Sequence, residues 1–214
     1  SIILCNNAVY DFDNNKHSGD LSEVAYLKFA HNKAVDRTFV VGSNNEFTHR
    51  AALSVAEAPG ESFNPLFIYG GAGLGKTHLM HAIGNYLIEN TDKKVLYIAS
   101  DKFVDEYTRI FRYSEKNNFD RIDAFKEKYR NVDVLMIDDI QFLSTAPKGQ
   151  EEFFHTFNEL YNENKQIIIA SDRSVDDLKM LENRLLTRFN WGLTANITPP
   201  DFDLRMRNLR LMVL

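Results

Sequence analysis

One short segment constrains this chain more than any other. The apolar run LFIY at 66–69 sits between Pro65 and Gly70 and reads as a buried strand. GGAGLGKT follows at 70–77, satisfying G-x-x-x-x-G-K-[ST] through Gly70, Gly75, Lys76 and Thr77. A helical pattern begins at Lys76, with Leu79, Ile83, Tyr86 and Leu87 on one side. Strand, glycine-rich turn and helix in that order form a phosphate-binding loop. Glycines let the backbone aim its N–H groups at phosphate oxygens, and the helix adds its positive N-terminal end. Lys76 is then expected at the β- and γ-phosphates, and Thr77 on Mg²⁺ through its hydroxyl. Gly71, Ala72, Gly73, Leu74 and His78 complete the nucleotide-contacting run. A chance glycine turn would lack the strand before it and the helix after it.

The rest of the chain supports an alternating architecture. VLYIA at 95–99, VLMI at 134–137 and IIIA at 167–170 are further short apolar strands. Amphipathic helices are expected from about 101, carrying Phe103, Tyr107 and Phe111, and around 149–164, carrying Phe153, Phe157, Leu160 and Tyr161. Ser100 or Asp101 would cap the first of these. Upstream, TFVV at 38–41 reads as an extended segment. Asn44 or Asn45 would cap a helix with Phe47, Ala51 and Val55 on its packed face. Fully apolar strands alternating with amphipathic helices predict an α/β fold with a parallel sheet covered on both faces. The polar stretch from Asp11 to Asp20 reads as a loop within an N-terminal segment, 1–33, whose fold the sequence does not define.

Asp138 and Asp139 end the third apolar strand. Ligands bind beyond the carboxyl ends of strands in open parallel sheets. Asp138 is therefore expected to hold Mg²⁺, and Asp139 to orient or polarise an attacking water. Without the phosphate loop upstream, a pair of solvated loop carboxylates would be an equal reading. An Asp in the second position has a shorter reach than a Glu.

Composition sets the outer bounds. Hydrophobic residues make up 44% of 214 and charged residues 26%, enough for one substantial core. No window approaches the roughly 20 apolar residues of a membrane span, and SIILC at the N-terminus lacks the basic start of a secretion signal. A lone cysteine, Cys5, cannot form an internal disulfide, which fits a cytoplasmic protein. The net charge of −5 argues against gripping DNA with bulk positive charge. His78 and His81 lie three apart on one helix, but no further metal-ligand cluster accompanies them.

Several motifs together resemble the bacterial replication initiators of the DnaA family, specifically their AAA+ ATPase domain. NPLFIYGGAGLGKTHL at 64–79 is similar to that family's phosphate loop, and IDDIQFL at 137–143 to its Walker B segment. EEFFHTFN at 151–158 resembles the helix that follows, and SDR at 171–173 the sensor 1 strand end. RLLTRFNWGL at 184–193, then PPD at 199–201, resembles box VII and its continuation, and TFVVG at 38–42 the entry strand near the adenine. The resemblance covers about 37–211.

It implies a three-layer P-loop NTPase of the AAA+ type with a central parallel five-stranded sheet, spanning 34–214. It also implies binding of ATP or ADP with Mg²⁺, and weak ATP hydrolysis as an off-switch. Val40 and Val41 would lie by the adenine, and Asp172 near the γ-phosphate. Arg188 would be an arginine finger reaching a neighbouring subunit's ATP, supported by Arg184. On spacing alone, Arg184 and Arg188 would be an i,i+4 surface pair. Thr108, Arg109 and Lys148 would face a single-stranded DNA channel, although on the residues alone a solvated charged face is the better reading. The segment 101–130 departs most from the family, and within it the stretch from Phe111 to Ile122, with Arg112, Lys116, Asn117 and Asn118, is enlarged.

The implied partners are further copies of the chain in an ATP-dependent oligomer, origin DNA and the replicative helicase machinery. The family's helical lid and helix-turn-helix domain would follow LRLMVL at 209–214, so the chain is expected to be a fragment. Two other readings remain: a AAA+ helicase loader or regulatory adaptor that binds protein instead of DNA, and a nucleotide-binding scaffold without turnover.

Overall fold

The computed structural model describes residues 2–5, 8–11, 16–18, 39, 41–112 and 119–202. Val40, Lys116, Asn117 and Asn118 lie outside these residues. Among the described residues the sheet has eight strands in the order β3-β2-β1-β5-β6-β7-β4-β8. Five of them, β4 (Leu66–Tyr69), β5 (Val95–Ala99), β6 (Val134–Asp138), β7 (Gln166–Ser171) and β8 (Leu193–Asn196), form the expected parallel block. The sheet continues past β5. There β1 (Ile2–Cys5) pairs parallel to it, and β2 (Ala8–Asp11) and β3 (Lys16–Ser18) follow antiparallel. The N-terminal segment, whose fold the sequence does not define, thus contributes three strands among the described residues, and β3 lies wholly inside the stretch expected as a polar loop.

Period-two alternation sorts the strand side chains onto two faces. Leu66 and Ile68 pack with Val134, Met136 and Ile168 against α1 (Glu46–Glu57) and α2 (Lys76–Asn90). Phe67, Leu96, Ile98, Leu135 and Ile137 face the other way. That layer holds α3 (Ser100–Arg112), α4 (Phe119–Arg130), α5 (Pro147–Asn162) and α6 (Asn183–Phe189). Phe103, Phe153, Phe157 and Phe189 form its aromatic centre. Both faces are covered, which is why the central strands β4, β5, β6 and β7 are largely apolar.

Three local expectations are corrected. Phe47 does not line the packed face of α1: it is 61% exposed, and Thr48, Ala51, Ala52, Val55 and Ala56 are the buried residues. Small residues at that contact let α1 approach α2 closely. Asn45 occupies the N-cap of α1, but its Oδ1 accepts the Gly42 N–H at 2.9 Å and no amide of the helix. Ser100 is the first residue of α3, directly after β5, and its hydroxyl donates to the Asp139 main-chain oxygen at 2.6 Å.

Candidate nucleotide site at the sheet's carboxyl edge

The loop after β4 reaches the sheet edge between β7 and β8. Gly70 N–H donates to the Ser171 oxygen, and Ile197 N–H to the Tyr69 oxygen. Both neighbours therefore fix where the loop starts. Gly75, at φ 97°, is the residue on which the chain turns into α2, a left-handed conformation that a side chain would strain. Lys76 is buried, and its ammonium donates to the Gly70 and Gly71 oxygens at 2.7 and 2.9 Å. The charge is thereby held over the loop.

Thr77, the second residue of α2, meets the end of β6. Its hydroxyl donates to Asp138 Oδ2 at 2.6 Å, and the Tyr97 hydroxyl donates to the same oxygen at 2.9 Å. Asp138 Oδ1 accepts the Asp139 N–H at 2.8 Å. The carboxylate is buried, and three donors satisfy it. Two hard oxygen ligands beside a phosphate loop fit a magnesium ion, which takes one or two carboxylates and draws its remaining ligands from phosphates and water. Among the described residues there is no group of three or more His, Cys, Asp or Glu placed for a metal. An ion here would depend on the nucleotide for part of its coordination.

Asp139 adopts a left-handed backbone at φ 52° and ψ 47°, which redirects the chain from β6 into the 3-10 turn Ile140–Thr145. Its Oδ1 accepts Gln141 Nε2 at 3.0 Å. Asp172 follows β7. Arg173 grips its carboxylate through Nε at 2.7 Å and Nη2 at 2.8 Å. These bonds hold the Asp172 carboxyl below its ordinary range despite some opposing burial, and the Lys76 charge acts in the same direction. His81, buried one turn past Thr77, stands edge-on to Tyr97. Phe39 stacks on His49 and meets His78 edge-on, so His78 borders the entry segment; Val41 is half-buried there.

Arg184 and Arg188 are on α6. Arg184 Nε donates to Glu182, and its guanidinium lies over Phe154. Arg188 Nε donates to Asn158 Oδ1 at 2.8 Å, and its guanidinium carbon sits 3.8 Å above the Trp191 ring. They do not form a simple i,i+4 surface pair: a carboxylate and a ring hold Arg184, and an amide and aromatic rings hold Arg188. Thr108 turns its hydroxyl onto the Val104 oxygen of its own helix, and exposed Arg109 pairs with Asp105. Lys148 is exposed at the start of α5, next to Gly149, which packs against Val104. The three residues therefore occupy neighbouring stretches of α3 and α5.

Tyr97, Ser100, Gln141, Asn158 and Phe154 contact site residues without having been expected to. Each acts by a hydrogen bond or ring contact from another element, which sequence spacing does not record.

The family model of the bacterial DnaA ATPase domain matches residues 31–196. The chain belongs to that family. Domain III of the Thermotoga maritima replication initiation protein DnaA is 46% identical with a TM-score of 0.78, over 85% of this chain and 74% of that one. AMPPCP-bound DnaA from Aquifex aeolicus is 35% identical with a TM-score of 0.75, over 84% of this chain and 54% of that one. A replication initiator DnaA bound to AMPPCP and single-stranded DNA is 37% identical with a TM-score of 0.71, over 77% and 50%. The chain thus spans about half the length of these two nucleotide-bound relatives. Its parallel block and flanking helices are the P-loop NTPase fold of the AAA+ type. No helix among the described residues is long and apolar enough to cross a membrane.

Proposed function

We propose that this chain is the ATP-binding switch of a cytoplasmic chromosomal replication initiator, with 34–214 as its AAA+ domain. The convergence of Lys76, Thr77 and Asp138 carries this reading: one cation and two oxygen ligands meet at a glycine loop on a helix N-terminus. Main-chain amides of 70–77 bind the β- and γ-phosphates and Lys76 neutralises them, while Val40, Val41 and His78 border the base and sugar. Thr77 and Asp138 would hold Mg²⁺, which supplies charge neutralisation at the phosphates. Asp139 orients the attacking water for a slow hydrolysis to ADP and phosphate, and Asp172 reads the γ-phosphate.

Arg188, supported by Arg184, serves a neighbouring subunit's nucleotide. A guanidinium there stabilises the same charge from outside. ATP thereby promotes assembly of further copies on origin DNA, where Thr108, Arg109 and Lys148 contact a single strand. Duplex recognition and engagement of the replicative helicase machinery belong to further domains of the initiator. The family match favours an initiator over a helicase loader or adaptor.

Isothermal titration with ATP and ADP, with and without Mg²⁺, tests the foundation. Binding that Mg²⁺ strengthens is expected in the parent, with at least a tenfold loss in Lys76→Ala. Equal affinity in the two proteins would end the proposal.

A further inference from the structure

Gln141 touches two parts of the site at once. Its Nε2 donates to Asp139 Oδ1 at 3.0 Å, and its Oε1 accepts the Asp172 main-chain N–H at 3.4 Å. The partners dictate the amide orientation, since a carboxylate needs a donor and an N–H needs an acceptor. No other side chain of this size offers both: glutamate would repel Asp139, leucine would bond to neither, and asparagine is one methylene short.

The Asp139 backbone has little freedom of its own. Ser100 holds its carbonyl, Asp138 holds its N–H, and its φ is left-handed. The direction of its carboxylate is what remains to be set, and Gln141 holds it. Gln141 does not serve as core filling. It borders an open cleft of about 420 Å³ that Phe142, Arg173 and Met180 also line, and Phe142 and Met180 are exposed. Its bond to Asp172 is long for N–H···O geometry, so the amide is firm on Asp139 and loose on β7.

We propose that Gln141 is a positioning residue that aims the Asp139 carboxylate and ties that aim to the end of β7, where Asp172 stands. The proposal rests on the reading of Asp139 as the group that orients the attacking water. A shift of the Asp172 main chain on contact with phosphate would then change the hold on Asp139 through one amide.

The test is steady-state ATP hydrolysis by this chain with Mg²⁺, comparing the parent with Gln141→Leu and Gln141→Glu. In Gln141→Leu, kcat should fall about 10- to 100-fold, the range expected for a misaimed group. KM should stay within about twofold, because Gln141 bonds to neither Lys76 nor Thr77. In Gln141→Glu, a second carboxylate repels that of Asp139 and cannot donate to it, so kcat should fall at least as far as in Gln141→Leu, again with KM nearly unchanged. The glutamate variant's kcat and KM also decide the matter if the leucine variant does not fold. An unchanged kcat, or a rise in KM alone, would overturn the positioning role. A parent without turnover would overturn the hydrolysis reading and the role together, whereas an active parent with indifferent variants overturns the role only.

Discussion

Thr77 and Asp138, 61 residues apart in the chain, share a hydrogen bond of 2.6 Å. That bond joins the first turn of α2 to the last residue of β6, with the Tyr97 hydroxyl on the same carboxylate oxygen. Thr77→Val removes the hydroxyl and keeps the shape. Losing a hydrogen bond to a charged group costs about 1.5–3 kcal/mol of stability, readable by urea denaturation. Titration of ATP should show the Mg²⁺-dependent gain in affinity abolished and the metal-free affinity retained. A variant that still responds to Mg²⁺ like the parent would remove Thr77 from the metal site.

His81 makes stability depend on pH. Burial lowers its pKa from 6.5, the Asp138 charge partly opposes this, and His78 adds to the lowering. The unfolded chain therefore takes up the proton first. The contribution of neutral His81 is fully present above pH 6.5 and is lost as pH falls from there to the lower folded value. Denaturation midpoints should decline across that window in the parent and less steeply in His81→Gln. Identical slopes would show that another group is responsible.

Arg188 and Trp191 form a stack that light can report. Trp191 is the chain's single tryptophan, and the guanidinium carbon lies 3.8 Å from its ring centre. Arg188→Ala should change the intensity or wavelength of tryptophan emission and cost about 0.5–2 kcal/mol. ATP affinity of the isolated chain should be unaltered, since Arg188 meets Asn158 and Trp191 and not the phosphate loop. Unchanged emission would mean that the guanidinium does not lie over the Trp191 ring in solution.

Gly192 is where the chain leaves the arginine helix and enters β8. A Cβ there would lie 1.9 Å from the Pro65 oxygen and 2.6 Å from the Pro65 nitrogen. Neither is a movable side-chain end, and the Leu193 N–H donates to that same oxygen at 3.0 Å. Gly192→Ala is expected to destabilise by about 3 kcal/mol, the upper range for forced overpacking. A denaturation midpoint close to that of the parent would contradict this close approach.

The four apolar strands were legible because burial on both faces leaves no room for polar residues. LTAN at 193–196 escaped notice as β8: it is the edge strand beside β4, and its half-exposed residues dilute the apolar signal. Phe47 misled because a large aromatic outweighs alanines in a hydropathy reading, whereas close helix packing favours Ala51, Ala52 and Ala56. The phosphate loop and Asp138 could be read because a motif and its context occur together. Tyr97, Ser100 and Gln141 could not, since their bonds to the aspartates arise only once β5, β6 and the following turn lie side by side. The cradle of Asn158 and Trp191 around Arg188 follows from α5 and α6 packing, which no local pattern encodes.

The contact between Gly192 and Pro65 has a mechanical consequence. Three residues separate Arg188 from Gly192, and Pro65 immediately precedes the strand that launches the phosphate loop. With main chain against main chain at that point, the two ends cannot move independently. If Arg188 serves a neighbouring subunit as proposed, a loop displaced on taking up or losing a phosphate would pull on the guanidinium through the chain's own backbone.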